Sequence, residues 1–353
     1  MEKSNSESKS SVSEIDCDFN ELSQKLFPHD IGFPKDLSSH SNNYFNATFH
    51  CLTNLYDLTS PIIDGCNTGQ KNNPYIDLLN KIIVLKDKPF SKQEERKIIN
   101  SFLGDLKSYI SQVLKYNEKD NEDPRKLIPI ILKDLENNNM LPEFILIKLE
   151  KFCTICNTVT KLDELKCSSD INTIYVKFDI PRILEYTHKK KIEVFTISDC
   201  FQYYFESIMK IEKSFECSQC HKETNQKIRI KELPNILLIF LYYDENNKNC
   251  HFENSAYKFE ENIDFKKFNF LSEDDRKKKY FLYSLIACKN IGTDFELFYT
   301  FSRANENSKY FIYNGCDIRK ELKIRNKMEK DKIDFRDKKQ SWPFVLVYKN
   351  IQP

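Results

Sequence analysis

The sequence predicts an α+β protein: a helical first half followed by a mainly antiparallel β second half around one elaborate core. Two patterns carry this. Apolar residues recur at helical spacing in the first half of the chain. In the second half they gather into short β-branched and aromatic runs bounded by Asn, Asp, Gly or Pro. Helices that precede a block of strands, with no internal repeat, give layers segregated in the chain.

The first helix is read in "NNYFNATFHCLTNLYDL", where Tyr44, Thr48, Phe49, Leu52 and Leu55 share a helical face. The second is "SKQEERKIINSFLGDLKSYISQVLKYN". Its Ser91 and Glu94 make a capping-box pattern, and Ile98, Ile99, Phe102, Leu106, Ile110 and Val113 form its apolar stripe. The third is "DPRKLIPIILKDLENNN", with Pro124 accommodated in the first turn and Asn137 to Asn139 ending it. Strands follow in "NTIYVKFDIP", "LPNILLIFLYYD", "KYFLYSLIAC", "FELFYTFSR", "KYFIYN" and "WPFVLVYKN". One helix, "TISDCFQYYFESIMK", interrupts them, capped by Thr196 or Ser198.

The chain has 353 residues, 40% of them hydrophobic, enough for one large domain or two ordinary ones. Lys and Arg number 54 against 53 Asp and Glu, so the net charge of +1 gives no argument for a nucleic-acid or membrane partner. Lys189 to Lys191 and Arg276 to Lys279 read as solvated faces. No run approaches the roughly 18 apolar residues of a membrane span. The Ser-rich start, residues 1–18, has no apolar core, so it reads as a disordered tail rather than a secretion signal. A cytoplasmic or nuclear location is expected, and in that reducing setting the 12 cysteines are thiols, metal ligands or core filler. With only six glycines, none in a strand-to-helix turn, a dinucleotide or P-loop site is excluded.

Cys153-x-x-Cys156 and Cys217-x-x-Cys220 are the two C-x-x-C pairs of the chain. Two such knuckles can make a tetrahedral zinc site. The 60 residues between them (157–216) exceed the span of a simple zinc ribbon, and two unrelated pairs on strands remain the alternative. His221, next to the second pair, is an exposed loop residue or a substitute ligand.

Several segments then fall into one order. "SNNYFNATFHCL" follows the second half of a cysteine-protease box that ends N-T-C-Y-M-N-S-x-L-Q-x-L. "EDPRKLIPIILKDL" follows Q-D-A-H-E-F-L-x-x-L-L-D-x-L. "YVKFDIP", "TISDCFQYYFE", "ELPNILLIFLYYD", "YFLYSLIAC" and "WPFVLVYKN" match the later strands and helix. Across about residues 32–350 the chain resembles the catalytic domain of the ubiquitin-specific protease family, papain-like deubiquitinases. The resemblance implies a papain-like fold with a helical thumb (about 32–150), zinc-ribbon fingers (about 151–230) and an antiparallel β palm (about 231–353), together residues 19–353. It also implies Zn2+ on Cys153, Cys156, Cys217 and Cys220.

By the same resemblance the catalytic positions are degenerate. Asn43 stands where the nucleophilic Cys precedes the Tyr, and an amide cannot form a thioester intermediate. Leu297 in "ELFYTF" stands for the general-base His, Asn314 in "YFIYNG" for its orienting partner, and Ser38 for the oxyanion-stabilising Asn. All six histidines, the last being His251, precede the base position. Cys51, two turns along the same helix, reads as a core residue.

The expected function is therefore that of a catalytically inactive member. It would bind ubiquitin or a ubiquitin-like protein, or serve as a scaffold among the subunits of a larger protein assembly. Two other readings stand beside it. One is an active thiol-dependent deubiquitinase with a displaced nucleophile. The other is a purely structural subunit, favoured by the bulky Phe295, Leu297 and Phe298 where an extended Gly-Gly tail would pass.

Overall fold

In a computed structural model the residues described are 43–55, 74, 77–78, 92–116, 123–142, 145–153, 155–156, 159–160, 174–192, 194–209, 213–217, 219–243, 256–258, 260–269, 271–289, 297–303, 310–314, 317–321, 332–334 and 341–351. The Ser-rich start, Ser38, Ser91, Phe295 and Gly315 lie outside them.

Helix α1 (Asn43–Thr53) is buried from Tyr44 onward on every face, including the polar Asn46, Thr48 and His50. A helix enclosed all round is a central element, not a surface one. Its polar end is satisfied locally: Thr53 donates to the Phe49 carbonyl at 2.5 Å and Asn54 to that of His50 at 2.6 Å. Helix α2 (Lys92–Gln112) buries Ile99, Leu103, Leu106 and Ile110. The expected stripe runs on to Val113, but Val113 lies beyond the helix and is 58% exposed; Leu103 takes part in the stripe instead. Helix α3 (Pro124–Asn137) starts at Asp123, whose carboxylate accepts the Arg125 amide. It buries Leu127, Ile128, Ile131, Leu132 and Leu135, and packs against α1.

The cysteine pairs flank a separate four-stranded sheet. It begins with β1 (Lys148–Cys153) paired to β2 (Val159–Thr160). Strand β3 (Val176–Asp179) leads directly into helix α4 (Ile180–Lys189), where the sequence predicts only the end of a strand. Asp179 accepts the Arg182 amide at the helix start. After β4 (Val194–Thr196) comes helix α5 (Ile197–Met209). Thr196 caps it, not Ser198: Thr196 and Asp199 exchange hydrogen bonds in a capping box, and the Ser198 amide donates to Glu260. Strands β5 (Lys213–Glu216) and β6 (Glu223–Glu232) complete the cysteine sheet in the order β2-β1-β6-β5.

The remaining strands are β7 (Ile236–Tyr242), β8 (Ala256–Lys258), β9 (Asn262–Asp264), β10 (Lys279–Lys289), β11 (Leu297–Ser302), β12 (Tyr310–Asn314), β13 (Asp317–Glu321), β14 (Lys332–Asp334) and β15 (Ser341–Asn350); helix α6 (Glu273–Lys277) precedes β10. The large sheet runs β13-β12-β11-β10-β15-β7-β3, with β9 on β10. Its pairings are antiparallel except β3 beside β7, which are parallel. Strands β7 and β10 are buried along nearly their whole length, as strands covered on both faces must be. One continuous core joins this sheet to α1, α3, α4 and α5, so the helices and strands do not form two independent cores.

Candidate functional site

Helix α1 lies along β11, and two hydrogen bonds fix their direction. Thr300 donates to the Ala47 carbonyl at 2.8 Å. Ser284, bonded to Ser302 at 2.8 Å, donates to Cys51 Sγ at 3.5 Å. From Ala47 to Cys51 the helix rises about 6 Å. From Thr300 to Ser302 the strand advances about 6.6 Å. The two elements therefore run in the same direction and in step, so Asn43 and Leu297 begin them at the same end. Tyr313 of β12 pairs with Thr300, so Asn314 closes its strand one step further toward that end. The backbone gathers the three positions named from the sequence at one edge. Ser38 lies outside the described residues.

This geometry places no thiol at the helix start. The cysteine that α1 does carry, Cys51, is fully buried two turns in. Burial pushes its thiol up to about 12, and the Ser284 hydroxyl offsets only part of that rise. At neutral pH roughly one molecule in 10^5 would carry the thiolate there, far from the state a nucleophile needs. Cys200 on α5 is buried too and raised well above the ordinary thiol value, chiefly by burial.

The second cluster is the cysteine knuckles. Cys153 ends β1 and Cys156 follows it, while Cys217 and Cys220 span the turn from β5 to β6. All four Sγ atoms lie within 4.8 Å of one another. Cys153 to Cys220 is 3.9 Å and Cys156 to Cys217 is 3.6 Å. A regular tetrahedron of metal–sulfur bonds of about 2.3 Å has edges of about 3.8 Å, so the sulfurs fit a single soft cation. The turn is knuckle-shaped: the His221 amide donates back to the Cys217 carbonyl at 2.8 Å with His221 at φ 53°. His221 itself is exposed and outside the sulfur cluster. Backbone amides of Cys156 and Ile155 draw the Cys153 thiol down. The Lys222 amide does the same for Cys220, but burial and the three neighbouring sulfurs push it up to about 11. Four crowded sulfurs resist joint ionisation, and a bound cation relieves that repulsion.

One feature near the first edge has no sequence signal beyond a charge inside an amphipathic helix. Arg125 of α3 is buried, and its guanidinium reaches Asp123 and the Leu241 carbonyl 116 residues away. Nothing local in "DPRKL" announces a partner that distant. Among the described residues no helix is long and apolar enough to cross a membrane.

Comparison with known proteins fits these observations. The family model for ubiquitin carboxyl-terminal hydrolase matches residues 38–348. A search of curated proteins by sequence finds no match. Among solved structures the chain is similar to the Ubp8 deubiquitinase modules. One is a SAGA DUB module of a point-substituted Ubp8 with Sgf11, Sus1 and Sgf73, bound to monoubiquitin. It gives TM-score 0.55 at 15% identity, with 92% of this chain and 70% of that one covered. Another, with ubiquitin aldehyde, gives TM-score 0.56 at the same identity and coverage. A yeast SAGA module carrying a point-mutated Sgf73 gives TM-score 0.51 at 14% identity, covering 92% and 69%. At that identity the likeness shows the fold alone, whereas the family model spans most of the sequence: this chain belongs to the ubiquitin carboxyl-terminal hydrolase family, in its ubiquitin-specific protease form.

Proposed function

We propose that this protein is a non-catalytic member of its family that binds ubiquitin or a ubiquitin-like protein, or holds together subunits of a larger assembly. One observation carries the reading. The edge where α1, β11 and β12 meet begins or ends on Asn43, Leu297 and Asn314, and no histidine follows His251. A Cys–His mechanism needs a thiol and an imidazole within hydrogen-bond reach of each other. Among the described residues, that edge carries neither. The buried Cys51 is a poor substitute, since its thiol is held protonated. Ser38, Asn43, Leu297 and Asn314 are thus what remains of an oxyanion site, nucleophile, base and orienter.

The binding role is supported by the related structures, whose descriptions pair Ubp8 with monoubiquitin and with Sgf11, Sus1 and Sgf73. Both kinds of partner are therefore compatible with this fold. The four cysteines hold one structural Zn2+ in this reading. The ion supplies folding energy to the cysteine sheet and takes no part in a reaction.

The test is direct. The purified protein should release no product from ubiquitin-amide reporters and take up no electrophilic ubiquitin probe. Asn43→Cys alone should stay silent, because no base would generate the thiolate; adding Leu297→His should bring at most a trace. Labelling of the unmodified protein at any cysteine, lost when that cysteine is replaced, would favour a displaced nucleophile instead. Metal analysis should give about one zinc per chain, lost in Cys217→Ser.

A further inference from the structure

Beside the edge where α1 and β11 begin, α3 is fastened to the large sheet by a buried guanidinium, paired to the capping Asp123 and set among aromatic rings. The Arg125 Nε donates to both Asp123 carboxylate oxygens, at 3.0 and 2.9 Å, and Nη2 donates to Oδ2 at 2.7 Å. Nη1 donates across to the Leu241 carbonyl of β7 at 2.7 Å. The guanidinium sits 3.9 Å from the Phe344 ring centroid of β15 and 5.0 Å from that of Tyr242. The Lys177 ammonium also lies near the Tyr242 ring, 4.6 Å from its centroid. Pro129 lies in the middle of α3 and cannot donate to the Arg125 carbonyl one turn back. The Tyr242 hydroxyl reaches that carbonyl at 3.4 Å, a long hydrogen bond from the sheet in place of the missing helical one.

The rings continue toward the candidate site. Tyr243 packs edge-on against Trp342 at 5.1 Å and lies 5.8 Å from Phe344. Its hydroxyl donates to the Pro343 carbonyl at 2.7 Å. Phe344 in turn meets Phe298 edge-on at 5.4 Å. Phe298 is the residue after Leu297, so this cluster occupies the flank of the edge where α1 and β11 begin.

We propose that this cluster seals the seam between α3 and the large sheet against an extended chain end, so that ubiquitin is held without its C-terminal tail inserted there. The proposal rests on the binding role argued above. An inserted strand needs a neighbour about 4.8 Å away and free backbone groups to pair with. The Leu241 carbonyl already has its donor, and the guanidinium fills the space over Phe344 at van der Waals distance. Opening the seam would leave the Arg125–Asp123 pair and the rings of Phe344 and Tyr242 beside it to be hydrated at once, a cost that a short tail cannot offset.

Trp342 is the single tryptophan of the chain and reports on the seam through Tyr243 and Phe344. In the unmodified protein its emission should be blue-shifted and resist acrylamide quenching compared with free tryptophan amide. Arg125→Met should raise the quenching constant severalfold, and Arg125→Lys, which keeps a cation but loses the planar fork, should raise it less. Quenching as fast as the free amide in the unmodified protein, or an unchanged constant in Arg125→Lys, would overturn the seal. In a second arm, ubiquitin and ubiquitin lacking its last two residues should bind within about twofold of each other. A loss of about tenfold or more on truncation would overturn the proposal. If neither form binds, the ubiquitin half of the proposed function fails, while the Trp342 readings still decide the seal.

Discussion

Cys51 shows how one buried group can shape the pH response of the whole fold. Its thiol titrates at about 12 in the folded chain against an ordinary value of 9.0. Below pH 9 both folded and unfolded chains keep the proton, and the group contributes no pH dependence. Between about pH 9 and 12 the unfolded chain releases it first, so stability falls as pH rises, by about 4 kcal/mol across the full range. Cys51→Ala should therefore show a shallower alkaline limb in urea melts than the parent protein, although it starts from a lower stability. An equal slope in both proteins would mean that Cys51 is not held protonated. Asp123 is the other instructive residue. It caps α3 and also neutralises Arg125, and only the first role is visible in "DPR". The second belongs to an arginine whose other partner, the Leu241 carbonyl, lies 116 residues away.

Among the elements, α2 is amphipathic but carries Gly104 on its exposed side, where an added Cβ would meet nothing within 4 Å. Glycine there costs backbone entropy without serving a turn or a close approach. Gly104→Ala should stabilise the protein by about 0.5–1 kcal/mol, seen as a rise of about a degree or more in Tm by calorimetry. The strands from β7 to β15 are legible in the sequence where their apolar runs are long and bounded by turn residues. Helix α4 is not, since "DIP" reads as the end of a strand. Proline, the residue type that closes a strand, also opens a helix, and at Pro181 it does the second, behind the capping Asp179. Spacing alone puts Val113 in the stripe of α2, yet it stands one residue past the end of that helix.

At the scale of the molecule, the order of layers and the sulfur cluster are readable from the sequence, because ordered motifs and paired knuckles are local signals. The sealed seam and the enclosure of α1 are not, because both arise from elements that meet only after folding. The cysteine sheet and the large sheet share no strand pairing among the described residues. Among the described residues the cysteine sheet pairs within itself, through β2, β1, β6 and β5, and its sulfurs gather at one end. Chelation should therefore loosen that sheet, read as faster amide exchange in residues 213–232, while Trp342 emission stays unchanged. A simultaneous shift of Trp342 would mean that the two sheets unfold as one unit. Their junction is pinned at Leu233: its amide donates to Asp275 at 3.0 Å, its carbonyl accepts from Lys278 at 2.5 Å, and Tyr280 donates to Pro234. From that pin β6 extends ten residues toward the knuckles, an arm of about 33 Å. A turn of about 10° at the pin would swing the knuckle end by roughly 6 Å, so the buried Asp275 carboxylate holds the short end of a lever whose long arm carries the four sulfurs.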